Sequence, residues 1–296
     1  MGEKKQKEIV VISGKGGTGK TSLTACFAAL AKKAVTCDCD VDAADLHLVL
    51  SPTVKDRGLF SGGVTAEIDQ EKCIRCGKCK DACRFSAIEI KEKKFYIDPL
   101  ACEGCGVCKL VCPAGAVKTK PAINGEWFVS ETRFGPMSHA KLGIAEENSG
   151  RLVTLVRQKA SGLSSNETGG RIISDGAPGT GCPVIASLTG VNYALVVTEP
   201  TVSGLHDMER ILDVTEHFRV PSGVVVNKYD LNLEMTDKIK EIVKRRGGIS
   251  YMGEIPYDKN VTLAQMQRMS LVEYGKGKAL ESVKQIWEKI RAQEDL

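Results

Sequence analysis

The stretch EIVVISGKGGTGKTSLTACFAALAKK, Glu8–Lys33, decides the fold. A short apolar run opens it and is predicted to be a strand; a glycine-rich turn follows, and then helical spacing from about Thr21 to Lys33. Gly14–Thr21 fits G-x-x-x-x-G-K-[ST] in the strand-to-helix context the motif requires. Gly14, Gly16, Gly17 and Gly19 let backbone N–H groups converge on phosphate oxygens, and the helix start adds partial positive charge. Lys20 is expected against the β- and γ-phosphates and the Thr21 hydroxyl on Mg²⁺, while Thr18 and Ser22 complete the cradle. A merely structural glycine turn would not need the Lys-Thr pair.

Outward from this stretch the same grammar repeats. VTCDCD, RIISDG, NYALVVTEP, PSGVVVNKYD and ISYMGEIP read as strands, separated by segments of helical periodicity such as SGLHDMERILDVTEHF. Near-continuous apolar strands alternating with helices predict an α/β fold with a mostly parallel sheet covered on both faces. The C-terminal ALESVKQIWEKIRAQ places Ala279, Leu280, Val283, Ile286, Trp287 and Ile290 on one stripe with a mixed-charge opposite face, the pattern of a helix docked on its own core.

Eight of the twelve cysteines lie between positions 73 and 112. Offsetting the chain by 29 residues lays CIRCGKCKDAC on CEGCGVCKLVC, Ile68 on Ile97 and Asp69 on Asp98, an internal duplication. Each run is C-x₂-C-x₂-C-x₃-C, the spacing of two-cluster bacterial ferredoxins. The close triplet takes three corners of a cubane and the fourth cysteine, too far round its helix, serves the other. One four-iron site is thus expected on Cys73, Cys76, Cys79 and Cys112, the second on Cys102, Cys105, Cys108 and Cys83. Zinc, which normally takes one C-x₂-C pair from each of two places, is the main alternative. Pro113 ends the second run where Arg84 ends the first. The reading gives three segments: residues 1–65 and 121–296 form the α/β domain, and residues 66–120 a small inserted α+β ferredoxin-like domain.

With Lys15 beside the loop, the sequence resembles the deviant-Walker P-loop ATPases of the MinD/ParA/Mrp superfamily, which include the nitrogenase iron protein. The resemblance implies that Lys15 reaches the partner subunit's nucleotide in an ATP-sandwich homodimer. DCDVDAADLH resembles switch I, carrying over Asp38 and Asp40, with Asp40 orienting the attacking water; Asp45 stands where relatives often have asparagine. IISDGAPGTG resembles Walker B with switch II, placing Asp175 near Mg²⁺ and Gly179 where its backbone senses the γ-phosphate. Asn227, Pro256 and Asp258 match adenine-contacting positions, and the string N-K-x-D is the one hint of guanine. Cys182 falls where the nitrogenase iron protein has a cluster ligand, although an inert thiol is the favoured reading.

The totals restrict partners more than they identify them. A chain of 296 residues, 42% apolar with formal charge +4, has ample core and no strong bias toward nucleic acid or anionic membrane. Two loaded sites, each carrying about −2, would bring it near neutrality. No run is long and apolar enough to span a bilayer, the N-terminus lacks a secretory pattern, and Gln6 spoils the myristoylation pattern, so a cytoplasmic protein without a membrane anchor is expected. Arg133, His139 and Lys141 are further candidates for a partner contact. The expected activity is slow, partner-stimulated ATP hydrolysis with Lys15, Lys20 and Asp40 as catalytic residues. It would couple ATP-dependent dimerisation to electron transfer through two [4Fe-4S] clusters, toward a redox partner. Metallocofactor assembly is the alternative, and a MinD-like positioning ATPase the less favoured third.

Overall fold

A computed structural model describes residues 6–143, 149–164, 168 and 170–293. In chain order the first elements are β1 (Lys7–Ser13), α1 (Lys20–Ala31), β2 (Val35–Asp38), α2 (Leu46–Leu50) and β3 (Thr53–Phe60). The cysteine-bearing segment holds β4 (Gly63–Ile68), α3 (Lys78–Asp81), β5 (Ile88–Lys91), β6 (Lys94–Ile97), α4 (Val107–Leu110) and β7 (Val117–Ala122). Then come β8 (Gly125–Thr132), β9 (Gly135–Leu142), α5 (Ser149–Leu163), β10 (Arg171–Pro178), α6 (Cys182–Leu188), β11 (Tyr193–Thr198) and α7 (Val202–His217). The chain continues through β12 (Ser222–Asn227), α8 (Leu233–Arg246), β13 (Ile249–Ile255), α9 (Lys259–Met266), α10 (Leu271–Tyr274) and α11 (Ala279–Arg291).

Two compact units result. One gathers residues 6–58, 127–141 and those described from 149 onward; the other gathers Leu59–Glu126 with 142–143. The first is built on a nine-stranded sheet in the order β13-β12-β11-β1-β10-β2-β9-β8-β3. The pairings from β13 through to β9 are parallel. The alternation of β1 explains why both faces are covered. Ile9 and Val11 point into a cluster with Phe27, Ile286 and Trp287, whereas Val10 and Ile12 point into one with Leu188, Met208, Ile211 and Ile239. The expected stripe of α11 is buried at Ala279, Val283, Ile286, Trp287 and Ile290, with Trp287 stacked 5.2 Å from Phe27. Among the described residues no helix is long and apolar enough to cross a membrane.

The second unit keeps the duplication visible. Strand β4 pairs antiparallel with β7, and β5 with β6. Asp69 N donates to Ala116 O and Asp98 N to Ala87 O, each at 2.8 Å, so equivalent residues of the two halves make reciprocal bonds. Asp69 and Asp98 also accept from the backbone two residues on, at Glu71 and Leu100. Gly77 and Gly106 start α3 and α4 with φ of 79° and 76°, left-handed values that a glycine takes without strain. Ala66, Ile68, Ile88, Phe95 and Val117 form the buried apolar cluster, and six of the cysteines pack directly on it.

Candidate functional site

At the carboxyl ends of β1, β2 and β10 the chain builds a cleft of about 750 Å³. Of the predicted residues, Gly16, Gly17, Gly19, Lys20, Thr21, Ser22, Asp40, Asn227, Pro256 and Asp258 line it. The loop's glycines are required by geometry at two points. A Cβ at Gly14 would meet Asp207 Cβ at 2.3 Å, and one at Gly19, with φ of 92°, would meet Asn227 Nδ2 at 2.4 Å. Asn227 Nδ2 donates to Thr18 O at 2.8 Å, so this residue pins the loop from the wall of the cleft. Gly179 N donates to Ser13 O at 3.0 Å, tying the turn after β10 to the same loop.

The acidic residues surround one lysine. Lys20 Nζ lies 2.8 Å from Asp40 Oδ2 and 3.7 Å from Asp175 Oδ1, with its side chain 6% exposed. Burial opposes its charge, but Asp175 and Asp40 outweigh burial and raise its pKa. Asp175 is raised by burial, against the pull of Lys20; Asp38 is raised well above the usual carboxylate range by burial and then by Asp175. Asp38 organises the turn after β2, accepting from Asp40 N at 3.1 Å and Leu46 N at 3.3 Å.

Two features mark the cleft as made for an anionic ligand and a cation. Helix α1 has Gly19 as its N-cap residue, with no side-chain cap and no acidic residue in its first turn, leaving its N–H groups and positive end free. Asp175 Oδ2 and Thr18 Oγ1 are buried without a hydrogen-bond partner. The donor set of Thr21 and Asp175, all oxygen, suits Mg²⁺, and the loop N–H groups suit phosphates.

Sequence reasoning missed the partners of Lys15. Its Nζ donates to Ser203 Oγ at 3.1 Å and lies 3.9 Å from Glu199, which also pairs with Lys228. Asp258 offers no free carboxylate: it accepts from Asn260 N at 2.9 Å, capping α9, and from Ala279 N at 3.0 Å. Asp230, the last residue of N-K-x-D, is committed to Tyr257 N at 2.6 Å and Lys278 Nζ at 2.9 Å.

The candidates between the cysteine runs and β10 have structural employment. Arg133 pairs with Glu273, donates to Leu50 O at 2.7 Å and Val49 O at 2.9 Å, and thereby caps α2. Arg133→Met is expected to cost about 2 kcal/mol, the scale of charged hydrogen bonds left unmade, read as a lowered urea midpoint with unchanged m. His139 is buried, bonded to Ser130 Oγ at 2.9 Å, and its pKa falls to about 4 through burial and then His47. Lys141 is exposed.

In the second unit Cys73, Cys76, Cys79 and Cys112 line one pocket, three from the first run and the fourth from the second. Cys83, Cys102 and Cys108 pack on the same small core, and Cys105 is exposed beside them in sequence. Among the described residues no three His, Cys, Asp or Glu side chains converge as on a single ion. Elsewhere Cys26, Cys37 and Cys39 are buried, with the Cys37 and Cys39 sulfurs 3.6 Å apart, and Cys182 is exposed at the start of α6.

The family model for the CobQ/CobB/MinD/ParA nucleotide binding domain matches residues 9–272. "Uncharacterized protein MJ0578" of Methanocaldococcus jannaschii is 35% identical over 290 residues, covering 96% of each chain. MJ0579 of the same organism is 27% identical, covering 90% of this chain and 91% of its own. Among solved structures, the septum site-determining protein MinD of Pyrococcus horikoshii OT3, complexed with Mg-ADP, superposes with a TM-score of 0.59. The two are 18% identical, over 97% of this chain and 96% of that one. Apo McdA of Cyanothece superposes with a TM-score of 0.57 at 16% identity, over 96% of this chain and 99% of its own.

Proposed function

This chain belongs to the CobQ/CobB/MinD/ParA nucleotide-binding family of P-loop ATPases, and on that premise we propose an ATPase whose nucleotide cycle governs electron transfer through two four-iron, four-sulfur clusters on the second unit. The observation that carries the cluster reading is the pocket shared by Cys73, Cys76, Cys79 and Cys112. A triplet from one run meeting the fourth cysteine of the other is the crossed ligation of two-cluster ferredoxins. Zinc normally takes one C-x₂-C pair from each of two places, whereas this pocket takes three cysteines of one run and one of the other. Bound clusters would supply one-electron storage at low potential. Cys83, Cys102, Cys105 and Cys108 would hold the second.

In the nucleotide cleft the residues divide the work. Loop N–H groups and the α1 terminus bind the phosphates, Thr21 and Asp175 would hold Mg²⁺, and Asn227 and Pro256 flank the base. Lys20 Nζ donates to Asp40; a bound γ-phosphate would offer it a stronger partner and free Asp40 to accept a hydrogen bond from, and so orient, the attacking water. Lys15 must leave Ser203 and Glu199 to reach a neighbouring subunit's nucleotide, which makes dimerisation a switch rather than a resting state. Lys15→Ala is expected to lower phosphate release about a hundredfold and to abolish the ATP-dependent shift to dimer in size exclusion. ATP is expected to bind at least about tenfold more tightly than GTP in competition, because Asp230 is already occupied.

The fold neighbours named as septum-site and cell-division MinD proteins favour a second reading, a positioning ATPase of the MinD kind. That reading gives the two cysteine runs no task. Anaerobic purification separates the possibilities. About eight iron and eight sulfide per chain, with midpoints that move when ATP replaces no nucleotide, support the carrier. Iron passing to an apo acceptor supports cofactor assembly, and iron-free protein that still dimerises on ATP supports positioning.

A further inference from the structure

The two cysteine runs share a backbone but not a surface. Lys72, Arg75, Lys78, Lys80 and Arg84 are exposed around the first run, with Asp81 the single acid among them. At the equivalent positions the second run has Ala101, Gly104, Val107, Lys109, Pro113 and, for Asp81, Leu110. Among the described residues none of the five cations has an ion-pair or side-chain hydrogen-bond partner. Of the other lysines of the unit, Lys91 pairs with Glu89, Lys118 with Asp69 and Lys120 with Glu67, whereas Lys93, Lys94 and Lys109 are likewise without such a partner among the described residues.

Arg75 is the most informative of the five. It has φ of 58°, the left-handed region that L side chains rarely adopt, where the sister run uses Gly104 at 64°. Glycine would relax that backbone, so what the first run retains is the guanidinium. Balancing the charge of a bound cluster does not account for it, since both runs would carry the same anion and only one is ringed by cations. Exposed Ile74 and Phe85, at 65% and 46%, sit among the charges. Exposed apolar side chains within a charged stretch fit a protein-binding surface, whereas a nucleic-acid track needs cations spaced along a groove.

We propose that the face formed by Lys72–Arg84 docks a small acidic protein of the kind that carries single electrons. The proposal rests on the cluster reading above for the partner's class, and on the unpaired cations alone for its charge. The probe is purified flavodoxin, a small acidic carrier, with iron-loaded full-length protein immobilised anaerobically for interferometry. Wild type is expected to bind it and to weaken about tenfold or more between about 50 and 200 mM salt. Replacing Arg75→Gly, Lys78→Val and Arg84→Pro together installs residues the sister run already accommodates, and is expected to lose about tenfold at the lower salt with iron content and ATP binding unchanged. Should that variant lose iron, Lys78→Gln with Lys80→Gln is expected to weaken binding about threefold.

Wild type that fails to bind flavodoxin overturns the proposal, as does charge-removed protein of normal iron content that binds it equally. Random-sequence duplex DNA binding more tightly than flavodoxin, and losing that affinity in the variant, overturns it in favour of nucleic acid. Protein that contains no iron when purified anaerobically, yet binds flavodoxin in a salt-sensitive way, would sink the cluster reading and leave the docking face standing.

Discussion

Lys20→Met is expected to reduce phosphate release by about 10²–10³-fold and to destabilise the empty protein by about 3 kcal/mol. The first effect follows from removing the cation proposed to face the β- and γ-phosphates. The second follows from what the lysine does before nucleotide arrives. Its ammonium sits between Asp40 and Asp175, at 2.8 and 3.7 Å, and Asp38 is fully buried nearby. A methionine keeps the volume but leaves carboxylates facing each other with no counter-charge, the situation in which breaking a buried pair is most costly. Asp40→Asn added to Lys20→Met is therefore expected to restore much of the urea midpoint while leaving hydrolysis abolished. A double variant as unstable as the single one would mean that Lys20 stabilises the loop by packing instead.

The pH dependence has a definite sign. Burial raises the folded pKa of Asp175 and Asp38 above their unfolded values, so ionising them works against the native state. Losing Lys20 removes the attraction that opposes this shift at Asp175 and raises its pKa further. The penalty of Lys20→Met is thus fully present above the variant's raised folded pKa and shrinks as pH falls through the folded pKa values of variant and wild type. Urea titrations at neutral and mildly acidic pH should show the gap between wild type and variant narrowing on the acid side.

Much of this was legible because local chemistry and global fold demand the same residues. β1 alternates its side chains into two clusters, so its apolar run announces a strand covered on both faces, and the loop after it can be read from its glycines. The outer strands were not legible. β3, β8 and β9 carry mixed polar sequences, and no period in TVKDRGLF or GPMSHAKL separates an edge strand from a loop. Arg133 and His139 looked like site residues because a charged or titratable side chain in an unassigned segment has no visible partner. Theirs, Glu273 with the end of α2 and Ser130 with His47, come from distant parts of the chain or across a hairpin. The grip of Glu199 on Lys15 was hidden for the same reason: a pair 184 residues apart leaves no trace in spacing. The family's nucleotide motifs are short and contiguous, and that is why they can be read from the sequence when these pairings cannot.

The crossing of the cysteine runs makes the sharpest demand on the second unit. Cys112→Ala is expected to remove about half the iron, and the species that remains should match that of Cys73→Ala rather than of Cys102→Ala. Pairs of substitutions make the distinction quantitative. If ligation crosses, as the pocket holding Cys112 with Cys73, Cys76 and Cys79 implies, Cys73→Ala with Cys112→Ala spares one site and keeps about four irons. Cys102→Ala with Cys112→Ala strikes both and keeps almost none. If each run instead served its own cluster, the two outcomes would exchange. The effect on folding should be as large, because the unit's buried apolar cluster consists of Ala66, Ile68, Ile88, Phe95 and Val117, with cysteines filling the space beside them. On the cluster reading, a core this small is expected to need the bound clusters to hold strands β4–β7 together. Protease should therefore cut the doubly stripped variant within Leu59–Glu126 while the nine-stranded sheet, with its own cores on both faces, stays intact and still binds ATP. Resistance to cleavage in iron-free protein would mean that the strand pairing alone suffices, and that the cysteines pack as ordinary thiols.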